Sequence, residues 1–144
     1  MLFRSDRIYA TNIRSCLFSL NASDGKIIWE SCDPVCPDTS SPVATEKFVF
    51  MATAAGVVSC INTADGSILW EEEFDEMFYS SPILADNKIF VTDIKGDTQI
   101  FEALGKYTPV SKPRLFEEVV ATPAFIQDKI VMRGKKHLFL IGKK

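Results

Sequence analysis

The phrase Asp24-Gly25-Lys26-Ile27-Ile28-Trp29 returns 41 residues later as Asp65-Gly66-Ser67-Ile68-Leu69-Trp70. A fixed period near 40 residues commits a chain to a repeat architecture, because each unit is too small to cover its own apolar faces and must bury them against the next. A second marker keeps the same step. Ser41-Pro42-Val43, Ser81-Pro82-Ile83 and Thr122-Pro123-Ala124 each place a small hydroxyl residue before a proline, at intervals of 40 and 41.

Within a period the apolar runs are short, rich in Val, Ile, Phe and Tyr, and punctuated by Gly, Asp-Gly or Asp-Asn, which reads as strands rather than helices. The second repeat has runs at residues 41–44, 47–53, 57–62 and 67–71, and the third at 79–84, 88–92, 98–102 and, more weakly, 107–110. In the fourth they fall at 119–125, 129–132 and 137–141. Asp-Gly between two runs favours a two-residue primed hairpin turn, so the third and fourth strands of each repeat should pair. Phe48-Val49-Phe50-Met51 and Ile89-Phe90-Val91 are apolar at successive positions, the pattern of a sheet covered on both faces.

Four antiparallel strands repeating every 40 residues or so describe the blade of a β-propeller. The expected fold class is therefore all-β, a β-propeller fragment of about four blades at residues 1–31, 41–72, 78–111 and 119–142, the last lacking its outer strand. Met1 to Ile8 aligns without a gap with Pro82 to Ile89, which places the start of the chain inside a first strand. On this reading the chain is the C-terminal half of a seven- or eight-bladed ring, and the missing half is one expected partner.

The phrase Leu17-Phe18-Ser19-Leu20-Asn21-Ala22-Ser23-Asp24-Gly25-Lys26-Ile27-Ile28-Trp29 and its echo from Val58 to Trp70 resemble the repeat of the pyrroloquinoline-quinone-like propellers. The stretch from Lys129 to Gly142 is similar to the last blade of bacterial members. The resemblance implies that Trp29 and Trp70 lie flat against the neighbouring blade near its Gly turn, with Asp24-Gly25 and Asp65-Gly66 forming the turns of the docking phrase. The third and fourth repeats lack the Trp, Pro109 falling close to its place in the third, so those blades should dock less regularly. The family also contains quinone-dependent alcohol dehydrogenases, whose sites call for a vicinal Cys pair, calcium-binding Glu and Asn, a catalytic Asp and a Trp beneath the cofactor. None of these is matched here, so no catalytic residue, cofactor or metal is assigned. The resemblance points instead to secreted or periplasmic bacterial proteins, including a propeller lipoprotein of outer-membrane barrel assembly.

The remaining chemistry is sparse. Cys32 and Cys36, with three residues between them in a Pro-containing loop, either form a local disulfide in an oxidising compartment or stay free, while Cys16 and Cys60 fall in strands and read as small core residues. A zinc site is disfavoured, since His137, the one histidine, lies about 100 residues from that pair. The run Glu71 to Glu76 reads as a solvated loop, because successive carboxylates on an extended chain point to opposite sides. Ser80 and Ser81 read as strand residues. A net charge of −3 and scattered Lys and Arg give no electrostatic reason to bind nucleic acid, and no apolar run approaches the 18 or more residues of a membrane span. The function expected is a non-enzymatic platform for another protein, with part of a quinone-dependent dehydrogenase or a small-ligand sensor as alternatives.

Overall fold

The computed structural model describes residues 2–4, 6–11 and 16–142; Met1 and Ser5 of the first-strand alignment lie outside them. Fifteen strands form four antiparallel sheets in chain order, and no helix occurs among the described residues. The first sheet holds β1 (Leu2–Arg4), β2 (Arg7–Thr11), β3 (Leu17–Asn21) and β4 (Ile27–Ser31). The second holds β5 (Val43–Ala44), β6 (Phe48–Ala52), β7 (Val57–Asn62) and β8 (Ile68–Glu73). The third holds β9 (Ile83–Ala85), β10 (Lys88–Thr92), β11 (Thr98–Glu102) and β12 (Pro109–Ser111), and the fourth β13 (Ala124–Ile126), β14 (Lys129–Arg133) and β15 (Leu138–Gly142). Every sheet is a meander in which sequential strands are neighbours, and the four are the blades of a partial β-propeller.

Burial follows position in the blade. In the second blade β6 and β7 are covered on both faces, whereas the outer strand β8 alternates between exposed and half-buried residues. Tyr9 and Leu17 of the first blade pack on Val49, Met51 and Ile61 of the second. On its opposite face the second blade presents Phe50, Val58 and Cys60 to Ile89, Val91 and Phe101 of the third. Large side chains buried fully in this way contribute roughly 1.5–3 kcal/mol each. Between the third and fourth blades the fit is looser: Phe90 meets Phe125 edge-on at 5.0 Å, beside an apolar cavity of about 100 Å³ lined in part by Ile100, Ile130, Met132 and Ile141.

The turns differ from the expected type. After β3 and β7 the chain makes four-residue loops in which Gly25 and Gly66 donate to the carbonyls of Asn21 and Asn62, both at 2.9 Å. The side chains of those asparagines accept from Ser23 N–H at 2.8 Å and Ala64 N–H at 3.0 Å, and this local bonding sets the longer loop. Only the glycines take positive φ there, 69° and 78°. The two-residue primed turn occurs instead between β9 and β10, where Asp86 and Asn87 have φ of 47° and 56° across the Ala85–Lys88 pair.

The disulfide also differs: it joins Cys32 to Cys16, and Cys36 is a free thiol. The cause is register. β3 and β4 pair Leu17 with Ser31, so the residues just beyond, Cys16 and Cys32, face each other across the hairpin. Cys36 is instead drawn into the apolar cluster beneath the second blade.

Candidate functional site

The repeated residues assemble at the seams between blades. Trp29 projects from β4 and donates from Nε1 to the carbonyl of Thr63 at 2.8 Å, and Trp70 from β8 donates to the carbonyl of Leu104 at 3.2 Å. The acceptors stand in the corresponding loop of the next blade. A Cβ built on Gly66 would lie 2.7 Å from Cε3 of Trp29, so that glycine is the floor on which the indole rests. Trp70 packs edge-on to Phe101, 5.5 Å between centroids, and against Tyr107 at 5.2 Å. Asp24 and Asp65 act within their own turns, accepting from Lys26 N–H at 3.1 Å and Ser67 N–H at 3.0 Å. The Ser67 hydroxyl bond holds the Asp65 carboxyl below its ordinary range.

A second seam runs along the innermost strands. The hydroxyl of Ser81 accepts from the N–H of Ser41 at 2.9 Å, and the hydroxyl of Thr122 accepts from the N–H of Ser81 at the same distance. One residue earlier, Ser40 and Ser80 donate inward to the carbonyls of Ala52 and Thr92, at 2.5 and 2.6 Å. These residues precede the strands β5 and β9 rather than belonging to them. Their spacing of 40 in front of proline was the sequence signal for this role, since a hydroxyl at that point can satisfy an N–H that no ladder reaches.

On the side of the blades where the second and third strands turn, crossing segments carry the chain from one blade to the next. Phe74 N–H bonds to the carbonyl of Gly56 at 2.8 Å and Leu115 N–H to that of Gly96 at 3.0 Å. This side carries a charged cluster. Arg114 grips Asp97 through two bonds of 2.6 and 2.7 Å, Lys112 stands 3.6 Å away, and Lys95 pairs with Glu76 of the acidic run. The Arg114 bonds hold the Asp97 carboxyl low, whereas burial pushes its neighbour Asp93 up, even though Asp93 accepts two backbone N–H bonds.

The same side presents apolar side chains to solvent: Val35, Met77 and Val120 are 46, 41 and 59% exposed, and Phe116 is 84% exposed. Phe116 holds φ of 60° in the left-handed region, which costs a bulky residue on the order of 1–3 kcal/mol. Nothing in the composition or periodicity marks Phe116; only its conformation and exposure single it out. On the fourth blade His137 Nδ1 lies 2.7 Å from Glu117 Oε2, and the N–H groups of Lys136 and His137 also reach that carboxylate.

The residues present do not suit a quinone cofactor. Both indoles are committed to backbone carbonyls of adjacent blades, and the two cysteines that join do so across a hairpin rather than as chain neighbours. Cys16, Glu30 and Cys32 bring two sulfurs and a carboxylate together, but the sulfurs are bonded to each other and offer no thiolate to a metal. Burial pushes the Cys60 thiol up to about 12, which makes it inert.

Comparison with known proteins agrees with this geometry. A designed protein, Ika4, superposes with a TM-score of 0.78 at 12% identity, over 97% of this chain and 87% of its own. The designed Ika8 superposes at 0.69 with 10% identity, over 99% of this chain and 57% of its own. BamB from Moraxella catarrhalis superposes at 0.72 with 13% identity, over 97% of this chain and 43% of its own. In sequence, the outer membrane protein assembly factor BamB of Yersinia pestis is 29% identical over 69 residues, 47% of this chain. The chain spans 17% of that relative's length. The family model described as outer membrane protein assembly factor BamB matches residues 17–106, more than half of the chain and both Trp repeats. The chain thus belongs to the BamB family of pyrroloquinoline-quinone-like β-propeller repeats.

Proposed function

We propose that these blades are a non-enzymatic platform for protein–protein contacts in assembly at the bacterial cell envelope. The observation that carries this reading is Phe116, an aromatic 84% exposed and held at a positive φ on the side of the blades that also bears Met77 and Val120. The Phe116 ring lies 5.5 Å from the Arg114 guanidinium, an exposed contact worth about 0.5–1 kcal/mol that does not cover the cost of the conformation, whereas a rigidly presented aromatic is a typical interface anchor. The family's printed role in outer-membrane protein assembly supports the same direction. The Cys16–Cys32 bridge supports an oxidising compartment such as the periplasm. Further blades supplied by a longer chain remain compatible with this platform.

Affinity capture from a cell-envelope extract tests it, using the chain with a photo-crosslinker at position 120 and, in parallel, the same chain carrying Phe116→Asp. A discrete crosslinked protein, recovered without added quinone or calcium and lost in the Asp variant, is expected. Dye reduction with an alcohol that appears only on adding quinone and calcium would overturn the reading in favour of a dehydrogenase.

A further inference from the structure

A polar position on the third strand of each blade is answered differently in the second and third blades. In the second, the hydroxyl of Ser59 on β7 donates to Glu71 Oε1 on β8 at 2.8 Å, so the pair closes within its own sheet. In the third, register puts Gln99 and Lys112 in the corresponding places. Lys112 turns instead to Asp97, 3.6 Å away. The Gln99 side chain, in a residue only 6% exposed, has no hydrogen-bond partner among the described residues. A buried amide in that condition is costly to keep, so an occupant that bonds to it is favoured.

Gln99 opens onto a cavity of about 240 Å³ between the segment that follows β8 and the β10–β11 loop. Asp93 and Asp97, 1 and 4% exposed, share its wall with Glu73. The cationic side chains there are already engaged: Arg114 with both oxygens of Asp97, Lys112 with the same carboxylate, and Lys95 with Glu76. Asp93 Oδ1 accepts from the N–H groups of Lys95 and Asp97, both at 3.0 Å, while its Oδ2 has no partner among the described residues, and neither has the Glu73 carboxylate. Burial pushes the Asp93 carboxyl up, the mark of an acid short of a counter-charge. Five carboxylates line the cavity against three cationic side chains, and the charged groups left unengaged are acceptors.

The form of these acceptors selects among cations. Among the described residues the carboxylates here do not bring three oxygens within 4.8 Å of one another, the convergence that a bare divalent ion needs. A guanidinium is matched to both oxygens of one carboxylate, and Asp93 offers one. An ammonium is a point charge with three donors, suited to single acceptors on separate residues such as Asp93 Oδ2, Gln99 Oε1 and Glu73. We propose that this cavity receives the ammonium group of a lysine side chain from a protein docked on the blades. That source rests on the platform reading above, and Arg114 supports it by lining the cavity while its guanidinium lies 5.5 Å from the Phe116 ring. The exposed aromatic and the cation pocket are therefore adjacent, within reach of one segment of a partner. The lining residues all fall between positions 73 and 114, in the second and third blades and the segments that follow them.

Titration of the isotope-labelled chain with Nα-acetyl-lysine N-methylamide, followed by amide NMR, is the test. The expected result is saturable movement of the Gln99 side-chain NH2 and of the Lys95 and Asp97 N–H groups that bond to Asp93, with a Kd on the order of 1 mM. The same probe acetylated on its side-chain nitrogen carries no charge and should move none of them, and the arginine analogue should bind more weakly. Asp93→Asn keeps an oxygen for the two N–H groups and should weaken binding roughly tenfold or more; Gln99→Met carries the same expectation if that variant does not fold. Absence of saturation, equal movement with the acetylated probe, tighter binding of the arginine analogue, or wild-type affinity in a folded variant would each overturn the proposal. The crosslink at position 120 keeps the two readings apart. A captured protein that is undiminished by Asp93→Asn overturns the lysine pocket and leaves the platform standing, whereas no captured protein in the wild-type chain removes the platform and the docked lysine together.

Discussion

The six-membered ring of Trp29 rests on Gly66 of the next blade, with 2.7 Å between Cε3 and the place a Cβ would occupy. Gly66 thus serves the preceding blade as well as its own turn. Gly66 also has φ of 78°, so Gly66→Ala adds left-handed strain of about 1–2 kcal/mol and lifts the indole from its seat. A total loss of about 2–3 kcal/mol is expected, with a red shift in Trp29 emission in a Trp70→Phe background. An unshifted emission maximum would show that the indole does not need the bare glycine.

Positive φ and lack of space can be separated at two other glycines. Gly25 has φ of 69° with nothing within 4 Å of a built Cβ, whereas at Gly56 (φ 82°) that atom would lie 2.4 Å from the carbonyl oxygen of Phe74. Gly25→Ala should therefore cost only the conformational strain, about 1–2 kcal/mol. Gly56→Ala must also push back the crossing segment whose Phe74 N–H bonds to Gly56, and should cost about twice as much. Urea midpoints of the two variants check the order, and equal losses would mean that the crossing segment yields freely.

The Cys16–Cys32 bridge closes a span of 16 residues, for which loop-closure entropy gives roughly 3 kcal/mol. Cys32→Ser should lower stability by about that amount, and Cys36→Ser by much less. Alkylation of the unfolded, non-reduced protein should label Cys36 and Cys60 alone. Label on Cys16 with Cys32 and Cys36 protected would restore the local pairing.

The difference between those two pairings shows where the sequence stops being informative. The strands of the buried blade centres were legible: residues 57–62, 88–92 and 98–102 coincide with β7, β10 and β11, because short runs rich in β-branched and aromatic residues next to Gly or Asp-Asn turns read as strands. Inner strands came out shorter than their runs. The polar residues Ser40, Ser41, Ser80 and Ser81 spend their hydroxyl and N–H groups on blade-to-blade links, a role that spacing hints at but only geometry assigns. Disulfide partners depend on hairpin register, and register here was set by Asn21 and Asn62, whose side chains turn an Asp-Gly signal into a four-residue loop. Phe116 carried no periodic signal at all.

Acid should weaken the fourth blade through Glu117. The bond from the His137 ring first, and then the N–H of Lys136, hold this carboxyl down to about 2 from an ordinary 4.5. A carboxylate whose folded value is depressed stabilises fully above the unfolded value and loses that contribution as pH falls through the folded one. The wild-type urea midpoint should therefore fall between about pH 4.5 and 2 more steeply than that of Glu117→Gln, which has no proton to take up. Parallel curves across that window would show that the carboxylate is not held in the folded protein.

The fourth blade should also open first. The first and second seams are each closed by an indole that buries its face and donates to a backbone carbonyl, and the third has neither. At the position where a Trp would stand, the third blade has the irregular pairing of Ile100 with Ser111 and Phe101 with Pro109, and the third seam instead encloses the cavity of about 100 Å³. Local opening is governed by how much buried contact must be lost, so a loosely filled seam gives way below the global unfolding free energy. Amides of β14 and β15 should accordingly exchange at least tenfold faster than those of β6 and β7, whose strands are buried on both faces. Ile100→Phe, which extends an apolar side chain into the cavity, should slow exchange in β14 while leaving β6 unchanged. If β6 and β14 exchanged at one common rate, the blades would be opening as a single cooperative unit and the missing indole would have no energetic consequence.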